Sequence, residues 1–260
     1  PGWRFWQTEY CVMQGARENA RGPGRDLGMT TALDVARVIH GDLTITNVSA
    51  WQWWTALSTS DYKDGLLYTD YEREGDPETL YTSKLLWAFG NYSRFIRPGA
   101  RRIGLTGADH LFGLLGSAYR SAAGEKLVLV FINMAETAVP VSLRLDGLPE
   151  GRAVRSLTPH VTSRAHDLRA HAPVAVDTVY VVPARSVVTL VGKLSPVSQE
   201  GRRVSKAGQT EFMDGKATRK DNEASVESDS GHHMRALAHS VGRCDRKHAM
   251  RFRDFHLGGK

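Results

Sequence analysis

Hydrophobic positions change their period along this chain of 260 residues, and each change marks a change of structure. Residues 5–11, Phe-Trp-Gln-Thr-Glu-Tyr-Cys, alternate as a half-buried strand does. On a regular strand Phe5, Gln7 and Glu9 share one face while Trp6, Thr8 and Tyr10 share the other. Beyond a glycine- and arginine-rich loop, Met29, Ala32, Leu33, Ala36 and Ile39 recur at helical steps, with Gly41-Asp42 as the expected stop. The β-branched run at 43–50 predicts a second strand, and Trp51-Gln52-Trp53-Trp54 stands at its carboxyl end. Asp76-Pro77-Glu78 has the composition of a helix start, and Tyr81, Leu85, Ala88, Tyr92, Phe95 and Ile96 continue that helix until Pro98-Gly99. Strand, helix, strand, helix is the grammar of a parallel α/β fold.

After residue 100 the period becomes two and the segments become short. Apolar runs at 102–106, 111–119, 127–133, 139–145, 154–157, 178–182 and 187–191 are divided by turn signals such as Asp146-Gly147. That spacing predicts a small antiparallel sandwich. From Ser195 onward there is no Trp or Tyr, and polar residues dominate. Such a segment buries too little apolar surface to offset its ordering entropy, so disorder is expected. The expected organisation is α/β plus all-β: a βα part at 1–98, a β-sandwich at 99–194 and a disordered tail at 195–260.

Charge changes this picture little. The net charge of +6 comes mostly from the tail, which carries 13 Lys and Arg against 9 Asp and Glu. A nucleic-acid partner is therefore not expected of the folded part. The chain has no run of eighteen apolar residues that would span a membrane. Cys11 and Cys244 lie far apart in unlike surroundings, so no disulfide between them is expected. His232, His233, Cys244 and His248 match no metal-ligand spacing, and neither a metal nor another cofactor is expected. Glu9 closes a strand just before a loop, where ligand sites of α/β folds lie. It reads either as a site residue or as a salt-bridged surface acid. The tryptophans read either as packing against the last helix or as a platform for the apolar faces of sugar rings. Asp61, Asp64, Asp70, Glu72 and Glu74, in the loop that follows, read as a solvated set at a cleft edge.

Three stretches together resemble the carboxyl-terminal half of glycoside hydrolase family 30: residues 6–11 (Trp-Gln-Thr-Glu-Tyr-Cys), 47–54 (Asn-Val-Ser-Ala-Trp-Gln-Trp-Trp) and 90–99 (Gly-Asn-Tyr-Ser-Arg-Phe-Ile-Arg-Pro-Gly). The run 183–189, Pro-Ala-Arg-Ser-Val-Val-Thr, is similar to that family's last sandwich strand. Within the family, the Tyr-Cys after the Glu and the Gln-Trp-Trp at 52–54 look most like endo-β-1,6-galactanases.

The resemblance implies the last two βα units of a (β/α)8 barrel with a β-sandwich on its side. It implies that Glu9 is the catalytic nucleophile and that Trp51 lines the sugar cleft, with Tyr10, Trp53 and Trp54 as further substrate-binding residues. Retaining enzymes of this kind hold two carboxyl groups roughly 5–5.5 Å apart, one attacking the anomeric carbon and one protonating the leaving oxygen. The family's acid/base is a Glu following an Asn on the fourth barrel strand, and no stretch here matches it. Since such a barrel takes about 250 residues, the resemblance also implies a missing amino-terminal barrel half and an inactive isolated chain. The implied partner is a polysaccharide, and the implied location of the full enzyme is secreted or periplasmic. A glucosylceramidase or β-1,6-glucanase of the same family, and a non-catalytic carbohydrate-binding remnant, are the competing expectations.

Overall fold

A computed structural model describes residues 4–13, 24–70, 79–110 and 113–197, together with the main chain of 235–240. Strand β1 (Trp6–Tyr10) runs parallel to β2 (Ala50–Trp53), and helix α1 (Met29–Gly41) connects them. Asp26 starts the helix: its carboxylate accepts the main-chain N–H of Gly28 and of Thr31, both at 2.8 Å. Met29, Ala32, Leu33, Val35, Ala36 and Ile39 form the buried stripe.

The helix does not stop at Gly41. It continues as a π-helical turn, Asp42–Thr46, in the run expected to be a strand. Thr44 donates its hydroxyl to the His40 carbonyl at 2.6 Å, so the residue supports the helical backbone it was expected to break. Asn47, at φ 58°, ends the turn in the left-handed region that Asn tolerates. Only then does the chain extend, with Ser49 N–H donating to the Phe5 carbonyl to set the start of β2 against β1.

The loop after β2 folds into a small sheet of β3 (Leu57–Ser58), β4 (Leu67–Thr69) and β5 (Leu80–Thr82). Helix α2 (Lys84–Ser93) begins later than the apolar pattern suggested. Ser83 is its cap, accepting from Leu86 N–H, and Tyr81 belongs to β5 instead. Residues 76–78, where the helix was expected to start, lie outside the described residues.

The remaining strands are β6 (Arg101–Thr106), β7 (Leu114–Arg120), β8 (Lys126–Asn133), β9 (Val139–Asp146), β10 (Arg152–Thr162), β11 (Arg169–Ala170), β12 (Val174–Ala175), β13 (Tyr180–Val182), β14 (Ser186–Pro196) and β15 (Arg235–Ser240). They follow the order β11-β10-β14-β8-β7-β6-β15-β9-β13, with β12 paired to β10. Strand β10 is longer than its apolar run, because Thr158, Pro159 and His160 pair with β14 whatever their polarity. Strand β14 runs past the boundary expected at 194. Within the tail, the main chain of residues 235–240 pairs with β6 and β9.

Two cores share one sheet. Leu127, Leu129 and Phe131 of β8 enter the sandwich core, whereas Val128, Val130 and Ile132 enter a second core with α1 and α2. A strand covered on both faces reads as a continuous apolar run, as β8 does. The second core takes residues from both sides of position 98/99, so α1, α2 and the sandwich are packed as one body. No closed barrel forms among the described residues: one β-α-β unit lies on the sandwich, and the sheet β1–β2 has only two strands.

Asn91 of α2 is the polar pin between the layers. Fully buried, it donates to the His160 carbonyl at 3.0 Å and to the Thr189 hydroxyl at 2.9 Å. Thr189 donates in return to the Asn91 carbonyl at 2.7 Å. Replacing Asn91 with Ala removes the donor shared by the His160 carbonyl and the Thr189 hydroxyl and empties its buried place, and a loss of about 2–3 kcal/mol in urea unfolding is expected. A loss under about 0.5 kcal/mol, the scatter of ordinary surface changes, would show that packing alone joins the layers.

Candidate active site

The carboxyl ends of β1 and β2 meet in a few main-chain bonds. Trp54 N–H donates to the Tyr10 carbonyl at 3.0 Å, and Thr55 N–H donates to the Asp64 carbonyl at 2.7 Å. Tyr10, Trp54, Thr55 and Asp64 are thereby drawn to one end of the strand pair. The Trp54–Thr55 peptide bond is cis.

The pairing register decides which side chains face where. Trp6 pairs with Ala50 and Gln7 with Trp51, but the next pair is Tyr10 with Trp53. Strand β1 therefore advances three residues while β2 advances two, a bulge that sets Thr8 and Glu9 together opposite Gln52. A bulge bends the strand and re-aims its side chains. The regular alternation expected for β1 is overturned. Gln7 and Tyr10 share the face of Trp51 and Trp53, whereas Thr8, Glu9 and Gln52 are exposed.

Trp51 and Trp53 form part of a packed aromatic group and stay half-buried. Their rings stack at 6.2 Å with an interplanar angle of 14°, and Tyr10 packs on both at 5.9 and 6.1 Å. Phe89 of α2 closes the group at 5.9 Å from Trp51. Both indole N–H groups are spent inside the fold: Trp51 donates to the Asp42 carboxylate and Trp53 to the Asp64 carbonyl, each at 2.7 Å. Trp51 thus packs between the strand pair and the helices, half-buried, with Trp53 and Tyr10 beside it. The physical reason is the π-helical extension of α1. It puts Asp42 within reach of Trp51, and a charged acceptor for an indole donor favours that rotamer. Trp54 differs from the other two. It is 56% exposed, and Trp6, on the open face of β1, is 62% exposed.

The acids of the following loop divide as well. Asp61 accepts from Arg25 N–H at 2.9 Å, and Asp70 pairs with the Arg25 guanidinium, which also reaches the carbonyls of Thr59, Ser60 and Thr69. Arg25 therefore fastens the loop to the segment before α1. Glu72 and Glu74 lie outside the described residues. Asp64 is not the solvated acid expected: it is 5% exposed, and its Oδ1 has no hydrogen-bond partner. The following Gly65 explains the burial, since a Cβ there would come within 2.6 Å of the Leu67 carbonyl and 2.8 Å of the Tyr68 ring. An Asp-Gly pair is an ordinary turn signal, but nothing in these residue types signals that this turn folds inward.

Cys11 lies between the two acids electrostatically. Burial raises its thiol pKa first, followed by the negative charges of Glu9 and Asp64. Its thiol is free, and Cys244 lies outside the described residues. Among the described residues no group of three His, Cys, Asp or Glu side chains could hold a metal ion. The expected bystanders His232, His233 and His248 are outside them too. No helix among them is long and apolar enough to cross a membrane.

With this geometry in place, the chain is similar to known proteins in the following respects. Residues 1–68 match the family described as O-Glycosyl hydrolase family 30. A solved conserved exported protein from Bacteroides fragilis is 29% identical, covering 73% of this chain and 39% of that one, with a TM-score of 0.58. A family 30 endoxylanase from Clostridium papyrosolvens is 24% identical over 74% of this chain and 42% of that one, with a TM-score of 0.55. The catalytic domain of a family 30 xylanase C from Talaromyces cellulolyticus gives 24%, 74%, 41% and 0.52 for the same quantities. The chain thus spans about two fifths of the length of the solved structures it matches.

The Cys11 thiol reports on the charges around Glu9. Both neighbouring carboxylates raise its pKa, so removing either charge lowers it and increases the thiolate fraction at a given pH. In a Cys244→Ser background, the pH midpoint of iodoacetamide alkylation should fall in Glu9→Gln and, by less, in Asp64→Asn. An unmoved midpoint in both would mean that neither carboxylate faces the thiol.

Proposed function

We propose that this chain is the carboxyl-terminal part of a retaining glycosidase of family 30 type, with Glu9 as its nucleophile and β-1,6-galactan as its substrate. The observation that carries the reading is the bulge in β1. It leaves one carboxylate exposed at the carboxyl end of a parallel strand, where the exposed Trp54 is bonded through its main-chain N–H to the carbonyl of the neighbouring Tyr10. The match of residues 1–68 to family 30 supports the same reading.

In this account Glu9 attacks the anomeric carbon as the glycosidic bond breaks, and a glycosyl ester forms on its carboxylate. A carboxylic acid from a separate βα unit protonates the departing oxygen. The same group then removes a proton from water, which hydrolyses the ester with net retention. Trp54, rather than the packed Trp51, offers the ring face for the sugar. Trp51, Trp53 and Tyr10 act indirectly by holding the strand ends. The rest of the barrel supplies the acid/base, so this chain alone turns over no substrate. Because a polysaccharide does not cross membranes, the whole enzyme in this account acts where its substrate is, secreted or periplasmic.

Mixing the chain with a separately produced amino-terminal half of a family 30 enzyme should restore release of reducing ends from β-1,6-galactan, with xylan and β-1,6-glucan as comparison substrates. Glu9→Gln should return the mixture to background. Trp54→Ala should lower kcat/KM roughly tenfold, the equivalent of about 1.4 kcal/mol, without changing the unfolding midpoint. Trp51→Ala should instead lower that midpoint, because it removes an aromatic from a packed group. Hydrolysis by the Glu9→Gln mixture at the parent rate would reject the nucleophile. Faster cleavage of xylan would reject the galactan assignment alone.

A further inference from the structure

Where the segment after α2 meets the helix-facing side of the sandwich sheet, a cleft of about 350 Å³ remains open. That is near the lower end of ligand pockets, about 300–1,000 Å³, and suits one ring rather than a chain of them. Its floor is apolar: Val128 of β8 and Val191 of β14 are cross-strand partners and both line it. Phe95, packed ring to ring against His160 at 4.5 Å, forms one wall. The turn between β7 and β8 forms another and is tied by three bonds. Ser121 N–H donates to the Lys126 carbonyl at 3.0 Å, Gly124 N–H to the Ser121 carbonyl at 2.8 Å, and Lys126 N–H to the Ser121 hydroxyl at 3.1 Å. Gly99, at φ 83°, lets the segment after α2 close on this turn, since a Cβ there would lie 2.9 Å from that of Ala122.

The rim carries positive charge. Arg94, Arg97 and Lys126 line the cleft and are exposed. Lys193 of β14 stands directly opposite Lys126, on the same face of the sheet. Like charges directly opposite one another destabilise a sheet, and no ion pair among the described residues relieves this one. Arg97 has a use within the fold, donating to the Ser93 carbonyl at 2.8 Å near the end of α2. The Arg94 guanidinium lies over the Phe95 ring at 5.7 Å. Neither use extends to the two lysines. Glu125 is the acid of the lining, and its carboxylate can accept from a hydroxyl.

We propose that this cleft binds a carboxylate carried on a six-membered ring. The carboxylate meets Lys126, Lys193 and Arg94, and one face of the ring covers Val128, Val191 and Phe95. A bare inorganic anion would leave that apolar floor in water. A multiply charged phosphate would face both Glu125 and the negative end of α2. A sugar acid and a phenolic acid share the required chemistry, and a hydroxyl on either can donate to Glu125. The inference does not rest on the glycosidase reading, since the cleft uses neither Glu9 nor Trp54.

The test is calorimetric titration of the full chain with glucuronate and, separately, with para-hydroxybenzoate. At least one should bind at a single site with a Kd of about 1 mM or tighter, while glucose and inorganic phosphate should not bind at the same concentrations. The ring carboxylate that binds more tightly identifies the source. Lys126→Gln and Lys193→Gln should each weaken that binding ~3-fold or more. Both side chains are exposed, so the unfolding midpoint should not fall, and Arg144→Gln, on β9, should leave the affinity as it was. Raising the salt from about 0.1 to about 1 M should weaken binding as well, because the screening length shrinks from about 10 to about 3 Å. Absence of binding by both ring carboxylates up to ~10 mM would overturn the proposal. So would phosphate or glucose binding as tightly as they do, or an affinity indifferent to both lysine substitutions.

Discussion

The two-sided burial of strand β8 is the constraint from which the arrangement follows. Leu127, Leu129 and Phe131 face the sandwich core and Val128, Val130 and Ile132 face the helices, all essentially without solvent. Burying an apolar side chain of this size contributes about 1.5–3 kcal/mol relative to exposure. Six of them therefore contribute a gross amount comparable to the whole net stability of a typical domain, about 5–15 kcal/mol. A polar residue on either face would cost both layers at once. Helices α1 and α2 lie on one face of this sheet, and the strand pair β1–β2 lies against the helices through Tyr10, Trp51, Trp53 and Phe89. The position of Glu9 is inherited through that stack of layers.

The local chemistry at the strand ends has the same logic. Asp42 and Asp64 each take an indole N–H, one by its carboxylate and one by its main-chain carbonyl. Those bonds hold Trp51 and Trp53 half-buried in the packed group, while Trp54 stays exposed. The extra residue of the bulge leaves Glu9 outside with it. An exposed acid and an exposed indole on one side, backed by a stacked aromatic group on the other, are the features that the proposed sugar chemistry uses.

Much of the sandwich was legible in the sequence because each of its long strands buries at least one face, and burial writes itself as alternation or as a continuous apolar run. The helix stripe from Met29 to Ile39 was legible for the same reason. The run at 43–48 misled because β-branched composition favours strands on average, whereas Thr44 here bonds back to His40 and prolongs a helix. The start of α2 misled because Tyr81 happens to fall in phase with the helix while β5 claims it for a sheet. The bulge left no trace in residue types, so the faces of β1 could not be read without the register. The inward turn of Asp64 was hidden likewise, since a Lys-Asp-Gly triplet in a loop ordinarily faces water. Strand β15 was illegible because main-chain pairing, which does not depend on side chains, is what places it.

The central claim is that Glu9 can form a bond to an anomeric carbon, and a mechanism-based label tests it without relying on proton donation from the second carboxyl group. A 2-deoxy-2-fluorogalactosyl fluoride carries a leaving group that needs no proton, while its 2-fluoro substituent slows hydrolysis of the ester once formed. Incubated with the chain together with its complementing amino-terminal half, it should add one fluorosugar mass to the peptide that contains Glu9, and none to the Glu9→Gln chain. Attachment to a different residue of this chain, or equal labelling of the Glu9→Gln chain, would contradict the account.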